Sequence, residues 1–282
     1  MRDFWRRFRR NKGALIGLAL LAVVFAIALF GPLIDDGDPW AMVQRPFLPP
    51  FQLADSFLGT DTLGRDILTG LISGARVSLM IGFVSTLAAL LLGVTLGAVA
   101  GYYGGWVDTL LMRFTELFQT IPSFALAIVL VAIFQPSVGS IVVAIAIVSW
   151  PPVARLVRGE FLTLRRREFV QAAQLDGQSD ARIIFVELLP NAASSIVVMA
   201  SLMVATAILL ESSLSFLGLG DPNLMSWGYM IGAARTVLRQ AWWTSVFPGL
   251  AIVLTVLALN LVGEGLSDGL NTRLGGGRNA GL

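Results

Sequence analysis

Residues Gly13 to Leu33 read GALIGLALLAVVFAIALFGPL, 21 positions without a charge. A bilayer hydrocarbon core about 30 Å thick needs about 20 apolar residues in one helix, so this stretch predicts a transmembrane helix. It is too long for the apolar region of a secretory signal, and Phe30-Gly31-Pro32 offers no small-x-small cleavage site, so it is expected to stay as an anchor. Five more stretches read the same way: Val77 to Gly101, Val107 to Phe134, Val138 to Val157, Pro190 to Leu210 and Thr244 to Gly263. The fold class that follows is an all-α polytopic membrane protein with six transmembrane helices.

Composition agrees with that reading and removes several chemistries. The 282 residues are 56% hydrophobic and 13% charged, against roughly 25% charged in an ordinary soluble domain. That leaves too little polar surface to coat the chain in water, and the mean hydropathy of +0.78 says the same. There is no cysteine, which excludes disulfides, thiol nucleophiles and cysteine metal sites. There is no histidine, the commonest general base and zinc ligand. Lys12 is the sole lysine and precedes Gly13, so a Gly-x-x-x-x-Gly-Lys-Ser/Thr phosphate loop cannot form. The chain is expected not to be an enzyme, to hold no cofactor or metal itself, and to borrow any energy it uses. A pI near 9.5 reflects arginines placed by topology and does not signal nucleic-acid binding.

The arginines orient the chain. Arg2, Arg6, Arg7, Arg9, Arg10 and Lys12 precede the first span against the single acid Asp3, whereas Asp35, Asp36, Asp38, Asp55, Asp61 and Asp66 lie between the first two spans. Cytoplasmic loops carry an excess of basic residues, which puts the N-terminus inside. Six crossings then bring the C-terminus inside, with Arg113, the loop after the fourth span, Arg273 and Arg278 on the same side. The expected organisation is a basic cytoplasmic N-terminus over residues 1–12, a first transmembrane helix and external segment over 13–76, a transmembrane core over 77–267 and a cytoplasmic tail over 268–282. Trp40, Trp227, Trp242 and Trp243 are expected near the outer interface, Trp5 and Trp106 near the inner one. Pro122, Pro151, Pro152 and Pro248 fall inside spans, where they free backbone groups that neighbouring helices or a wet cavity must satisfy. Ala89, Gly93, Gly97 and Gly101 repeat every four residues and predict a close helix–helix contact. The two three-span halves share no visible repeat.

Between the fourth and fifth spans, residues 158–189 form the longest polar stretch expected on the cytoplasmic side. Glu168 to Leu175 consists of good helix formers, and Gly177 stands where a left-handed C-terminal cap belongs. Ser179 is placed to cap a second helix, with Asp180 favourably set against its dipole. Phe169, Ala172, Ala173 and Asp176 share one side by their three- and four-residue spacing, and the two alanines leave that side thin enough to enter a groove. The same features fit an amphipathic turn resting on lipid headgroups.

Gln171-Ala172-Ala173, Gly177 and Leu189-Pro190 together resemble the Glu-Ala-Ala…Gly…Leu-Pro loop of binding-protein-dependent ABC importer permeases, with Gln171 where the family has Glu. LGTDTLGRDIL from Leu58 to Leu68, with GARVSL from Gly74 to Leu79, resembles the segment before the second span of dipeptide/oligopeptide/nickel-type permeases. LSFLGLG from Leu214 to Gly220 with Trp227-Gly228 resembles their outer loop; Trp242-Trp243, FPGLAI from Phe247 and Asn260 resemble their last span. The likeness runs from about Phe8 to Arg273 and points to the C-type, second permease. It implies a heterodimer with a B-type permease, two ATPase subunits that bind ATP and Mg, and an external substrate-binding protein. All of this sits among lipid in the bacterial cytoplasmic membrane, with no nucleic-acid partner. It makes the 158–189 loop the coupling helix, with Phe169, Gln171, Ala172, Ala173, Asp176 and Gly177 as its ATPase-docking residues. The family carries dipeptides, longer peptides, nickel chelates and related solutes; di- and oligopeptides are the expected cargo.

The remaining candidates are intramembrane or near it. Glu211, Pro122 and Trp150 are candidates for the translocation path or its gate, since ionisable groups in spans usually mark function; Glu211, with no evident local partner, fits solvation at the interface equally. Arg113 and Glu116, three apart, can pair structurally. Asp61 can cap the helix that follows it, leaving Arg65 for headgroups or the partner permease. A homo-oligomeric channel or scaffold is the competing class. It should show a continuous polar stripe along one span, and no span offers one. A membrane enzyme would have only carboxylates and hydroxyls to work with.

Overall fold

At the start of the first apolar stretch, the Asn11 side chain accepts a hydrogen bond from the Ala14 N–H at 3.0 Å and caps α2 (Lys12–Ile34), which follows a short α1 (Arg2–Phe8). The computed structural model describes residues 2–270, so Arg273, Arg278 and nearly all of the expected 268–282 tail lie outside the described residues. Within them the chain is helical, and its only β pairing is two isolated antiparallel bridges, Met42 with Arg65 and Thr60 with Asp66. Five helices are long and apolar enough to cross a bilayer, and a bent pair makes a sixth if counted as one span.

The second long helix departs from its expected start. α3 (Ile67–Tyr103) has 37 residues, about 55 Å at 1.5 Å per residue, and begins ten residues before Val77. Its cap is Asp66, which accepts from the Thr69 N–H at 2.9 Å, so Asp61 does not cap it. Hydropathy misplaced the start because Thr69, Gly70 and Gly74 look like loop residues yet are buried, the glycines under Met225, Met230 and Trp227. The expected span Val107–Phe134 is also broken. α4 (Gly105–Thr120) and α5 (Ser123–Phe134) meet at 84° across Ile121-Pro122. A residue before proline is driven out of the α region, and Ile121 is extended at φ −92°, ψ 130°. After that break, Ser137 and Ser140 form a reciprocal capping box that starts α6 (Val138–Leu164). α6 continues through Pro151-Pro152 and runs seven residues beyond Val157.

α3 and α6 form the most extensive helix pair, and the glycine repeat is its seam. A β-carbon on Gly93 would lie 2.8 Å from the Trp150 carbonyl oxygen, and one on Gly101 2.9 Å from that of Arg158. At Gly97 it would collide with the Ala154 carbonyl. Small residues let the two backbones approach where lipid supplies no hydrophobic drive.

α9 (Leu189–Leu214) and α11 (Trp243–Leu270) complete the bundle, with α2 packed on α11. At one end, Phe4 and Phe8 of α1 lie over Gly269 and Gly265, and Asn11 Nδ2 donates to Asp268 Oδ2 at 2.9 Å. The chain between α6 and α9 sits at this same end, because Tyr102 at the finish of α3 bonds Asp180. The opposite end is built from residues 35–66 and from α10 (Trp227–Ala234). There Trp227 and Trp243 are core rather than interfacial residues. They are 3% and 5% exposed and donate their indole N–H to the carbonyls of Leu71 and Thr60, each at 3.0 Å.

The seam generates a paired test. Gly97→Ala is expected to destabilise the folded chain by about 1–3 kcal/mol through overpacking. Gly249→Ala, where a β-carbon meets nothing within 4 Å, should cost nothing. Thermal denaturation of the two variants in one detergent checks this, and equal melting points would remove the seam from the account.

Candidate functional site

The chain between α6 and α9 folds as a compact knob. α7 spans Glu168–Leu175, and a Schellman arrangement ends it: Gln178 N–H donates to the Ala173 carbonyl at 3.1 Å, and Gly177 N–H to that of Gln174 at 3.0 Å. Gly177 takes φ +71°, which a side chain resists, although a β-carbon there would meet nothing within 4 Å. Ser179 then caps α8 (Asp180–Arg182), accepting from the Arg182 N–H at 3.4 Å, and a π-helical turn over Ile183–Leu188 leads into α9.

Three tethers fix the knob to the bundle. Arg165 Nη1 donates to the Gly101 and Tyr102 carbonyls at 3.2 and 3.1 Å, closing the C-terminus of α3. Tyr102 Oη donates to Asp180 Oδ1 at 2.7 Å. Val170, Ala173, Ile183 and Leu188 are buried together with Phe161 of α6. Arg158 reinforces the base with a two-pronged bond to Asp108 at 2.5 and 2.7 Å.

The orientation of α7 corrects the expected face. Ala173 is 5% exposed and turned into the chain beside Val170, so it cannot share an outward side with Phe169, Ala172 and Asp176. Those three are exposed, as are Gln171, Gln174 and Gly177. Leu175, which spacing did not single out, is 89% exposed at the tip. An apolar residue directly before the capping turn was the available signal.

Above the knob, α6 and α9 diverge to leave an open groove. Its wide part, about 1070 Å³, is lined by Arg155, Glu160 and Thr163 on α6 and by Asn191, Ser195 and Met199 on α9. A further 440 Å³ continues past Met199 and Leu202 to Ser149, Pro152, Thr206 and Ser123. Glu160 Oε1 accepts from Ser195 Oγ at 2.6 Å and ties the two helices at the wide end. A continuous polar stripe was sought along single spans; here hydroxyls from α5, α6, α9 and α11 share one groove. Pro151 and Pro152 lack the N–H that the Ile147 and Val148 carbonyls would use, and Val148 and Pro152 line this cavity. Pro122 itself sits at the α4/α5 break, with Ser123 reaching the groove.

Two of the path candidates are not on this groove. Trp150 is 3% exposed, with Phe114 and Phe118 at ring-centroid distances of 6.0 and 5.3 Å, so it packs α4 on α6. Glu211 is 1% exposed and does not meet solvent. Its Oε1 accepts from Ser215 Oγ and Ser226 Oγ, each at 2.7 Å, and Ser212 Oγ stands 3.4 Å from Oε2. It therefore gathers the end of α9, the π-helical turn Ser215–Leu219 and the start of α10. Arg113 Nη1 lies 3.3 Å from Glu116 Oε2, both exposed. Arg65 is not offered to headgroups: it is 5% exposed, 2.5 Å from Asp61 Oδ2, and packed under Trp40 and Tyr229. Burial lowers its pKa, but Tyr229 and Asp61 outweigh that and hold it above the ordinary arginine value. Among the described residues no cluster of three or more acidic side chains is placed to hold a metal.

Comparison with known proteins matches residues 93–276 to the family described as binding-protein-dependent transport system inner membrane component. Residues 1–53 match the N-terminal transmembrane domain of oligopeptide transport permease C. The chain is 42% identical over 281 residues to a di/tripeptide transport system permease of Pseudomonas aeruginosa, covering 97% of this chain and 92% of that protein. It is 41% identical over 279 residues to a dipeptide transport system permease of Alkalihalophilus pseudofirmus, covering 97% and 90%. A glutathione transport system permease of Pectobacterium atrosepticum is 40% identical over 274 residues, with 97% and 91% covered. Among solved structures, a chain of the inward-facing MetNI methionine ABC transporter superposes with TM-score 0.58 at 17% identity, over 69% of this chain and 93% of that one. That likeness concerns the fold alone.

Glu211 carries the prediction of this section. Glu211→Ala leaves the Ser215 and Ser226 hydroxyls buried without their acceptor, at about 1–3 kcal/mol for each stranded group, so its melting point in detergent should fall clearly. Arg113→Ala and Glu116→Ala, at an exposed pair, should melt like the parent. A Glu211→Ala melt equal to the parent would mean the carboxylate does not hold this end together.

Proposed function

Since the chain belongs to the binding-protein-dependent transport system inner membrane components, as a C-type permease of the peptide ABC importers, we propose that its knob end faces the cytoplasm and its α7 docks on an ATPase subunit. It is a multi-pass membrane subunit of an importer, situated in the cytoplasmic membrane. On our reading α4 and α5 count as one interrupted span, making six. A B-type companion completes the translocation pathway against the α6/α9 groove. Two ATPase subunits bind and hydrolyse ATP with Mg, and an external binding protein delivers substrate to the far end. The relatives named for dipeptide, di/tripeptide and glutathione transport support di- and oligopeptides as the cargo.

The observation that carries this reading is the knob. A helix ended by a left-handed glycine and tethered by Arg165 and Tyr102 exposes Phe169, Ala172, Leu175 and Asp176 on the connection between the two main walls of the groove, α6 and α9. A motion delivered to α7 passes directly into α6 and α9, the two walls of the cavity. Gln171 is exposed beside the patch, with its amide 3.4 Å from the Arg166 carbonyl. Ala173 supports the docking face from below and does not enter the partner's groove.

The cysteine-free sequence permits a direct test. A cysteine at Gln178 should label only from the cytoplasmic side and one at Asn223 only from outside; the reverse pattern overturns the orientation. In the assembled transporter, Leu175→Glu and Gly177→Val should weaken ATPase co-purification and abolish uptake while the permease pair still assembles. Gly177→Val acts by strain alone, about 1 kcal/mol or more, because its surroundings are empty. Ala173→Leu should instead lower the melting point, since it is seated inside the chain. Normal ATPase docking by both Leu175→Glu and Gly177→Val would remove α7 as the docking element.

A further inference from the structure

Arg76, in the GARVSL stretch, belongs to neither the knob nor the groove. It is exposed on α3, and no hydrogen bond or ion pair holds it among the described residues. Gly31 of α2 packs on Ile72, which sets the end of the α2 span level with Ile72 and leaves Arg76 one turn inside that boundary. A lone guanidinium at this depth is costly unless its stem carries it toward the headgroups or an anion meets it.

The surroundings are shaped for such an anion. A cleft of about 600 Å³ between the end of α2 and α3 is lined by Asp35, Asp36, Ser73, Arg76, Met80 and Asn223 among others. Asp35 is already committed: its carboxylate accepts from Gly37 N–H at 3.1 Å and from Thr69 Oγ1 at 2.6 Å. Asp36 is exposed and uncommitted. Ser73 lies one turn above Arg76 on the same face, so hydroxyl and guanidinium point donors to one place.

Below the arginine the same face is apolar and uncovered. Met80, Val84, Leu87 and Leu91 follow Arg76 at three- and four-residue steps and are 43%, 48%, 58% and 64% exposed. From Arg76 to Leu91 the helix rises about 22 Å, close to the length of an extended acyl chain. Phe25 of α2 closes on Phe83 with ring centroids 5.6 Å apart and forms the side wall.

We propose that this cleft binds one phospholipid whose headgroup carries a primary ammonium, such as phosphatidylethanolamine. The phosphate sits on Arg76 and Ser73, the ammonium on Asp36, and one acyl chain lies along Met80 to Leu91. Charge selects the headgroup. An anionic glycerol headgroup brings no cation to the two aspartates, and a choline headgroup has no N–H to donate to Asp36. A water-soluble zwitterion such as a free peptide would satisfy the charges but leave the apolar stripe bare. The proposal needs only that this end of α3 meets a bilayer boundary, so it stands or falls apart from the orientation of the chain and the docking role of α7.

The test is native mass spectrometry of the assembled transporter with equal amounts of palmitoyl-oleoyl phosphatidylethanolamine and phosphatidylglycerol. The parent should retain the ethanolamine lipid in preference. Arg76→Gln should retain about tenfold less of it, the loss expected for one charged hydrogen-bonding partner. Arg76→Lys should keep most of it, and Arg45→Gln, an exposed cation outside the cleft, all of it. Asp36→Asn should erase the preference over phosphatidylglycerol. Equal retention of both lipids by the parent overturns the proposal, as does unchanged retention by Arg76→Gln. Loss of the companion permease from the Arg76→Gln complex, with lipid retention unchanged, would make the stripe a protein interface. Displacement of the lipid by free dipeptide would make the cleft a solute site.

Discussion

The close approach of α3 and α6 is the contact on which the remaining architecture depends. Water drives no apolar burial inside a bilayer, so two helices hold together there through the number of atoms they bring within van der Waals range. Gly93, Gly97 and Gly101 remove the side chains that would keep the α6 backbone away, leaving Val153, Ala154, Val157 and Phe161 to fill the seam. Once α6 is fixed against α3, its last turn is fixed as well. Arg165 then reaches the terminal carbonyls of α3, Arg158 reaches Asp108 of α4, and the knob is held at a defined position on the bundle.

The same rigidity gives the groove its meaning. α6 is packed tightly on α3 along one face, and on the other its Pro152 and Ser149 border a cavity shared with α9. One helix thus connects the knob, the packed core and the open path. At the break between α4 and α5, Pro122 stands beside Ser123, which reaches the narrow part of that cavity. Backbone irregularity is tolerated in a membrane where it lines a cavity or is covered by protein, and both kinds occur here. The π-helical turns are at the knob and beside Glu211, each anchored by buried residues, Ile183 and Leu188 in one and Ser215 in the other.

At the far end two charged groups, Glu211 and Arg65, are sequestered among partners. Glu211 gathers three serines, and Arg65 is enclosed by Asp61, Trp40 and Tyr229. A charge buried with partners costs far less than one left alone, and each such centre locks together segments distant along the chain. Arg76 is the contrast. It is exposed near the same boundary with no bonded partner among the described residues, and the lipid proposal rests on that difference.

Much of this was legible beforehand wherever the controlling physics is local. Apolar runs located the spans, Gly177 and Ser179 marked the turn between the knob helices, and Glu168 to Leu175 matches α7 residue for residue. Caps, positive φ and helix-forming composition act over four or five neighbours, so the sequence alone determined them. The side of α7 that faces outward was not local: Ala173 is buried because Phe161, Ile183 and Leu188 arrive from other elements. Nor were the partners of Glu211 legible, since Ser226 joins it only after the chain turns back between the end of α9 and the start of α10. Trp227 and Trp243 read as interfacial from their position, but the carbonyls of Leu71 and Thr60 draw them into the core. The groove is lined by α6 and α9 with residues of α5 and α11, and no inspection of one helix could show it. The sequence by itself determined the long apolar helices and the turn at Gly177; the tertiary structure decided where α3 begins and which face of each helix is covered, because burial is a property of partners brought together from far along the chain.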